Sequence, residues 1–219
     1  MNRYQLVIFD LDGTLLDSIE GIGAAMNAVL KQHGYPVHTK ADYYYFVGNG
    51  LKKLAERALP GEILERDGVD DYYRELVSAY EKHYQVGLRL YDGIAEMLDA
   101  LSEKGILLAV NSNKIDYMVK KIMADYYAKW QWQAALGARD NLPIKPDAYA
   151  VREISERTGI AKDRILYVGD SEVDVETAQN AGVDAAFVTW GFRKLDDVKG
   201  REISYVVHQP KELVEIICS

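Results

Sequence analysis

Residues 4–18 read Y-Q-L-V-I-F-D-L-D-G-T-L-L-D-S, and no other stretch of the chain constrains its fold so strongly. Leu6 to Phe9 form an unbroken apolar run with Gly13 downstream, the pattern of a strand buried on both faces of a parallel sheet. Asp10 and Asp12 follow at its carboxyl end, the edge where open α/β sheets bind ligands. Strand side chains alternate, so positions i and i+2 share a side and both acids can face one small site. Gly13 permits a sharp exit with positive φ, and Thr14 adds a hydroxyl just beyond it.

The rest of the chain repeats the theme after a long interruption. Asp17 or Ser18 can cap a helix carrying Ile19, Ile22, Met26, Val29 and Leu30 on one face, ended by Gly34 and Pro36. From there to about Tyr91 the patterning is helical, with no convincing strand. This block is rich in tyrosine (Tyr43 to Tyr45, Tyr72, Tyr73, Tyr80, Tyr84), which suits either helix packing or a surface that closes over something. Strand–helix alternation then resumes. Helices are expected over 94–103, 115–124, 147–157, 173–181 and 211–217, and strands over 106–110, 165–168, 185–188 and 205–207. Residues 125–142, with Trp130 and Trp132, give no clear pattern. Repeated β-α units mean a doubly wound parallel sheet with helices on both faces. The α/β core is expected to comprise 1–16 and 92–219, and 17–91 an inserted all-helical cap domain.

Four strand ends deliver polar groups to one edge. They are Asp10 and Asp12, then Asn111-Ser112-Asn113-Lys114, then Lys145-Pro146, then Gly169-Asp170-Ser171 with Asp174 four residues after Asp170. Each has a plainer reading alone: Ser112 as a helix cap, Lys145 as a solvated loop lysine, G-D-S as a capped turn. Their coincidence at one sheet edge favours a shared site. Asp10, Asp12, Asp170 and Asp174 brought together would repel and raise at least one pKa unless a cation were present. A hard divalent ion with oxygen ligands fits, and Mg²⁺ favours a few carboxylates with waters and a substrate phosphate. Lys145, Ser112 and the amides after Ser112 at a helix N-terminus would then hold phosphate oxygens. A carboxylate beside such a group can act as nucleophile, and a second acid two residues on can serve as general acid and base.

F-D-L-D-G-T-L-L-D-S, N-S-N-K, I-K-P-D and G-D-S-E-V-D-V-E-T-A-Q-N-A-G together resemble the four motifs of the haloacid dehalogenase superfamily. F-V-G-N-G-L at 46–51 and V-T-W-G-F at 188–192 are similar to its phosphoglycolate-phosphatase-like branch, which carries a helical cap. The resemblance implies a Mg²⁺-dependent phosphatase of small phosphorylated metabolites, with 2-phosphoglycolate the leading substrate. It implies Asp10 as nucleophile and metal ligand, and Asp12 as general acid/base giving its backbone carbonyl to the metal. Ser112 and Lys145 would hold the phosphoryl group with Asn113 and Thr14 beside it, Asp170 would ligate Mg²⁺, and Asp174 would support it directly or through water. Gly48, Asn49 and Gly50 would meet the leaving group. Ser112 stands where the branch often has threonine. A hexose-phosphate mutase or a pyrophosphatase would use the same scaffold, and a phospho-accepting signalling module a related set of groups.

Composition limits the alternatives. A net charge of −8 opposes non-specific binding to nucleic acid or anionic membrane. The single cysteine, Cys218, provides no disulfide framework, and the N-terminal apolar run is too short for a signal sequence. A soluble cytoplasmic protein is expected.

Overall fold

The computed structural model describes residues 2–219. The chain divides into two compact units, one of residues 1–16 and 90–219 and one of residues 17–89. Strand β1 (Leu6–Phe9) is followed by a two-residue strand, β2 (Leu16–Asp17). The inserted unit comprises α1 (Ile19–Gln32), α2 (Lys40–Phe46), α3 (Gly50–Ala58), α4 (Gly61–Asp67) and α5 (Asp70–His83). Strand β3 (Arg89–Leu90) pairs with β2 where the chain leaves and returns.

The larger unit continues with α6 (Ile94–Glu103), β4 (Leu107–Ile115), α7 (Asp116–Tyr126), β5 (Trp132–Ala138) and α8 (Tyr149–Thr158). It ends with β6 (Ile165–Gly169), α9 (Glu172–Ala181), β7 (Asp184–Val188), β8 (Tyr205–Val207) and α10 (Pro210–Cys218). Among the described residues the main sheet runs β5-β4-β1-β6-β7-β8, with parallel pairing throughout. This is the doubly wound order, and it reverses beside β1, opening a crevice at the carboxyl ends of β1 and its neighbours.

β1 is central because its sequence lets it be. Leu6 to Phe9 have no exposed surface, and alternation sends Leu6 and Ile8 to one face and Val7 and Phe9 to the other. Leu6 and Ile8 join Ala109, Ile165 and Tyr167 of the adjoining strands, Val151 and Ile154 of α8, and Ala178 and Ala181 of α9 in one apolar cluster. Burying a Leu or Ile side chain is worth about 1.5–3 kcal/mol, so the register of β1 is firmly set. That register fixes where Asp10 emerges.

In the inserted unit α1 packs on α5, and the residues buried there include Ile22, Met26 and Val29 of α1 and Tyr72, Leu76 and Tyr80 of α5. The contact is close at Gly21, where a Cβ would lie 2.7 Å from the carbonyl oxygen of Tyr84. Tyr43, Tyr72, Tyr80 and Tyr84 are buried, and Tyr43 Oη donates to Asn27 Oδ1 at 2.7 Å. For these four the packing reading holds, and Tyr45 is exposed. Ser18 occupies the N-cap position of α1 but makes no side-chain cap bond, while Asp17 accepts from Arg89 Nη2 at 2.7 Å.

Two readings change. Helix α7 begins at Asp116, close to the expected start at 115, but strand β4 does not end near Val110 and runs on to Ile115, so the amides after Ser112 lie in the strand and not at a helix N-terminus. Residues 125–142, unread in the sequence, finish α7 and form the edge strand β5. No helix among the described residues is long and apolar enough to cross a membrane.

Candidate active site

The site is built at the carboxyl edge of the sheet. Asp10 leaves β1 buried, and Gly13, at φ +96°, turns the chain. A Cβ on Gly13 would lie 2.4 Å from Asp170 Oδ2, and one on Gly191 would lie 2.3 Å from Asp170 Cβ. Gly169 has the same tightness toward Asp174, whose Cβ would be 2.2 Å away. These three glycines let separate chain segments close on the two carboxylates. Asp170 is further fixed by the Phe192 amide, which donates to its Oδ2 at 2.6 Å.

Asp174 divides its oxygens between two tasks. Oδ2 accepts from the Ser171 amide at 3.1 Å and hydroxyl at 2.6 Å, closing a capping box at the start of α9. Oδ1 accepts from Lys145 Nζ at 2.7 Å, and the same ammonium donates to Asp10 Oδ1 at 2.5 Å. Lys145 is buried rather than solvated, and Asn113 clamps its backbone. The Lys145 amide donates to Asn113 Oδ1 at 2.9 Å, and Asn113 Nδ2 donates to the Lys145 carbonyl at 3.1 Å. Thr14 Oγ1 lies 3.3 Å from Asp170 Oδ1 and 3.5 Å from Asp10 Oδ2.

A bulge in β4 raises the next group of residues. Asn111 pairs with Leu136 and Ile115 with Ala138, so Ser112, Asn113 and Lys114 together stand against Gly137 alone. Bulges beside active sites re-aim side chains in this way. Ser112 is buried, its Oγ accepting from the Lys114 amide at 3.2 Å. Lys114 Nζ donates to both oxygens of Asp12, at 2.5 and 2.7 Å.

One oxygen each of Asp10, Asp170 and Asp174 lies within 4.8 Å of the others. Burial pushes the Asp10 carboxyl up to about 7, with the Lys145 ammonium opposing the rise and Asp174 adding to it. Asp170 is driven well above the usual carboxylate range by burial, then by the charges of Asp10 and Asp174. Burial alone would lower Lys145, but Asp10 and Asp174 hold it well above the ordinary lysine value. The Lys145 ammonium thus bridges Asp10 and Asp174, while Asp170 beside them is held by the Phe192 amide. The crowding that raises these carboxyls would be relieved by a small divalent cation, for which they present only hard oxygen donors.

The core-unit residues expected at the site therefore lie at one sheet edge, with the Asp12 side chain held to Lys114. Gly48, Asn49 and Gly50 lie in the inserted unit, with φ +112° at Gly48 and +81° at Gly50. There Arg57 holds the loop, donating from Nη2 to Asn49 Oδ1 at 2.8 Å and from Nη1 to the Phe46 carbonyl at 2.9 Å. Sequence reasoning gave no role to Lys114, Gly191 or the Phe192 amide, and read Ser171 only as a helix cap. The W-G-F triplet at 190–192 was the available signal for the last two.

A family model described as haloacid dehalogenase-like hydrolase matches residues 7–188. The chain belongs to that family. It is 37% identical over 191 residues to the phosphoglycolate phosphatase of Rhodobacter capsulatus, covering 86% of this chain and 85% of the relative. The phosphoglycolate phosphatase of Aquifex aeolicus is 30% identical, with 97% of this chain and 96% of the relative covered. The crystal structure of a predicted phosphoglycolate phosphatase from Haemophilus somnus superposes with a TM-score of 0.87 at 25% identity, over 99% of both chains. A phosphoglycolate-phosphatase-like phosphomonoesterase of the haloacid dehalogenase superfamily follows from this similarity, as the motifs implied.

Proposed function

We propose that this hydrolase is a Mg²⁺-dependent phosphatase of small phosphomonoesters, with 2-phosphoglycolate its preferred substrate, and that it works through an aspartyl-phosphate on Asp10. The observation that carries the reading is the trio Asp10, Asp170 and Asp174 gathered at one point, with Lys145 bridging Asp10 and Asp174. The names of the relatives at 30–37% identity favour the substrate.

Asp10, Asp170 and Asp174, with the backbone carbonyl of Asp12, would hold Mg²⁺. When bound it would offset the negative charge of the carboxylates and of the phosphoryl oxygens. Asp10 attacks phosphorus as the bond to the departing alcohol breaks. Asp12 gives its proton to that alcohol oxygen and afterwards takes one from the water that cleaves the acyl phosphate. Lys145 and Ser112 orient the phosphoryl group, with Asn113 and Thr14 beside it, and Asn113 holds Lys145 in place. The loop at Gly48, Asn49 and Gly50, similar to that of the phosphoglycolate-phosphatase-like branch, selects the leaving group.

The test is a panel of phosphate esters assayed with and without Mg²⁺ and ranked by kcat/KM. The reading expects 2-phosphoglycolate at the head, no turnover after chelation, and no hydrolysis of an aryl phosphate by Asp10→Asn. Wild-type-like turnover by Asp10→Asn removes the nucleophile. A different ester at the head replaces only the substrate.

A further inference from the structure

The bulge in β4 delivers a second buried cation to the site, and no step above uses it. Lys114 has a side chain only 4% exposed, and its ammonium reaches both oxygens of Asp12, whose own side chain is 18% exposed. Three residues crowded against one raise this part of β4 out of the regular ladder. Gly137 makes that possible, since a Cβ there would lie 2.6 Å from the Lys114 carbonyl oxygen and 2.5 Å from Asp116 Cα. The next turn is pinned from the same place, with the Gly137 amide donating to Asp116 Oδ1 at 3.0 Å. The backbone of Lys114 is thus wedged and its side chain enclosed. A two-pronged contact from such a base removes the rotational freedom of the Asp12 carboxylate.

We propose that Lys114 is the positioning residue for Asp12, fixing the direction of its proton-carrying oxygen and stabilising the charge it gains. The inference rests on the acid/base reading of Asp12. As the phosphorus–oxygen bond to the alcohol breaks, the alcohol oxygen takes the proton of Asp12. The electron pair of that O–H bond stays on the carboxylate facing the Lys114 ammonium. When water attacks the acyl phosphate, the same carboxylate takes the water proton and the pair is ready again. An alkoxide leaving group needs this help far more than an aryloxide, which departs with its charge stabilised by the ring. Lys114 therefore acts on the choice between leaving groups, which general damage to the fold would not touch.

The experiment compares wild type, Lys114→Met, Lys114→Arg, Asp12→Asn and the double variant Asp12→Asn/Lys114→Met. Substrates are the best alkyl phosphomonoester of the panel and p-nitrophenyl phosphate. General acid–base help is worth about 10²–10⁴-fold, so Lys114→Met is expected to lose about 10²-fold in kcat on the alkyl ester and no more than about tenfold on the aryl ester. KM should stay within about twofold, since ground-state binding is not the target. Lys114→Arg should recover most of the loss, and the double variant should be no slower than Asp12→Asn. Equal losses on the two esters, or a further loss from Lys114→Met in the Asp12→Asn background, would overturn the proposal. Should Lys114→Met fail to fold, Lys114→Gln reads the same ratio of rates, which a partly folded sample leaves unchanged. If Asp12→Asn itself keeps full rate on the alkyl ester, the acid/base reading fails. If Asp12→Asn is crippled and Lys114→Met is not, only the role of Lys114 falls.

Discussion

Gly191→Ala isolates the steric logic of the site. Gly191 has no positive φ among the glycines that do, so a methyl group there imposes no backbone conformational penalty of its own. The whole effect comes from contact. The new Cβ would lie 2.3 Å from Asp170 Cβ, 2.4 Å from the Gly13 carbonyl oxygen and 2.5 Å from Asp170 Oδ2, whereas ordinary contact begins at 3.4 Å. About 1 Å of movement is required, and neither a backbone carbonyl nor a short carboxylate held by the Phe192 amide can swing away. Overpacking of this kind costs about 1–3 kcal/mol, and the rigidity of both neighbours points to the upper half. At about 3 °C per kcal/mol for a chain of this size, Tm should fall by about 6–9 °C. Displacing a reacting constellation by about 1 Å costs about 10²-fold in rate. The assays are thermal unfolding followed by circular dichroism and initial rates on p-nitrophenyl phosphate across a Mg²⁺ titration, with the half-saturating Mg²⁺ rising in the variant. Gly61→Ala is the control, because a Cβ there meets nothing within 4 Å. A Gly191→Ala protein with Tm within about 1 °C of wild type and an unchanged Mg²⁺ midpoint would refute the reasoning.

Other perturbations follow from the same contacts. Lys145→Met leaves the buried Asp10 and Asp174 carboxylates without the ammonium that bridges them. It should destabilise the Mg²⁺-free protein by about 3–5 kcal/mol in urea unfolding and lower kcat/KM by at least about 10²-fold. Gly21→Ala should destabilise by about 1–3 kcal/mol despite the higher helix propensity of alanine, because its Cβ would meet the backbone carbonyl of Tyr84 at 2.7 Å. Burial disfavours the Asp116 carboxylate, but Lys120 and the Gly137 amide hold its pKa below the usual carboxylate range. Its folded pKa is depressed, so its contribution is complete above the unfolded value of about 4 and is lost as pH falls through the folded value. Asp116→Asn should therefore flatten the acid limb of stability against pH, measured by urea unfolding from neutral pH downward.

Much of this was legible because it rests on local patterns. The run Leu6 to Phe9 could be satisfied only by a strand covered on both faces, and its end placed Asp10 at the ligand edge. G-D-S followed by Asp174 announced both a capped helix and two carboxylates, and the structure uses Asp174 for both. What escaped was set by contacts between distant segments. β5 reads W-Q-A-A-L-G-A, an edge strand half open to solvent, and its small residues gave no apolar alternation. Gly137 is small because the bulge in β4 presses against it, which no window of sequence around it reveals. Lys114 looked like the end of a motif, and its partner Asp12 lies 102 residues away. The tyrosines were ambiguous because packing and closure favour the same side chain, and burial decided for packing at four positions.

The claim on which the account turns is that Asp10 itself takes the phosphoryl group. Rapid acid quench of the Mg²⁺-loaded enzyme during turnover, followed by peptide mass spectrometry, measures this directly. The account predicts one phosphoryl group on the peptide containing Asp10, formed and lost at rates that match turnover and absent in Asp10→Asn. Steady turnover with no phosphorylated peptide, or with the group on another residue, would contradict it.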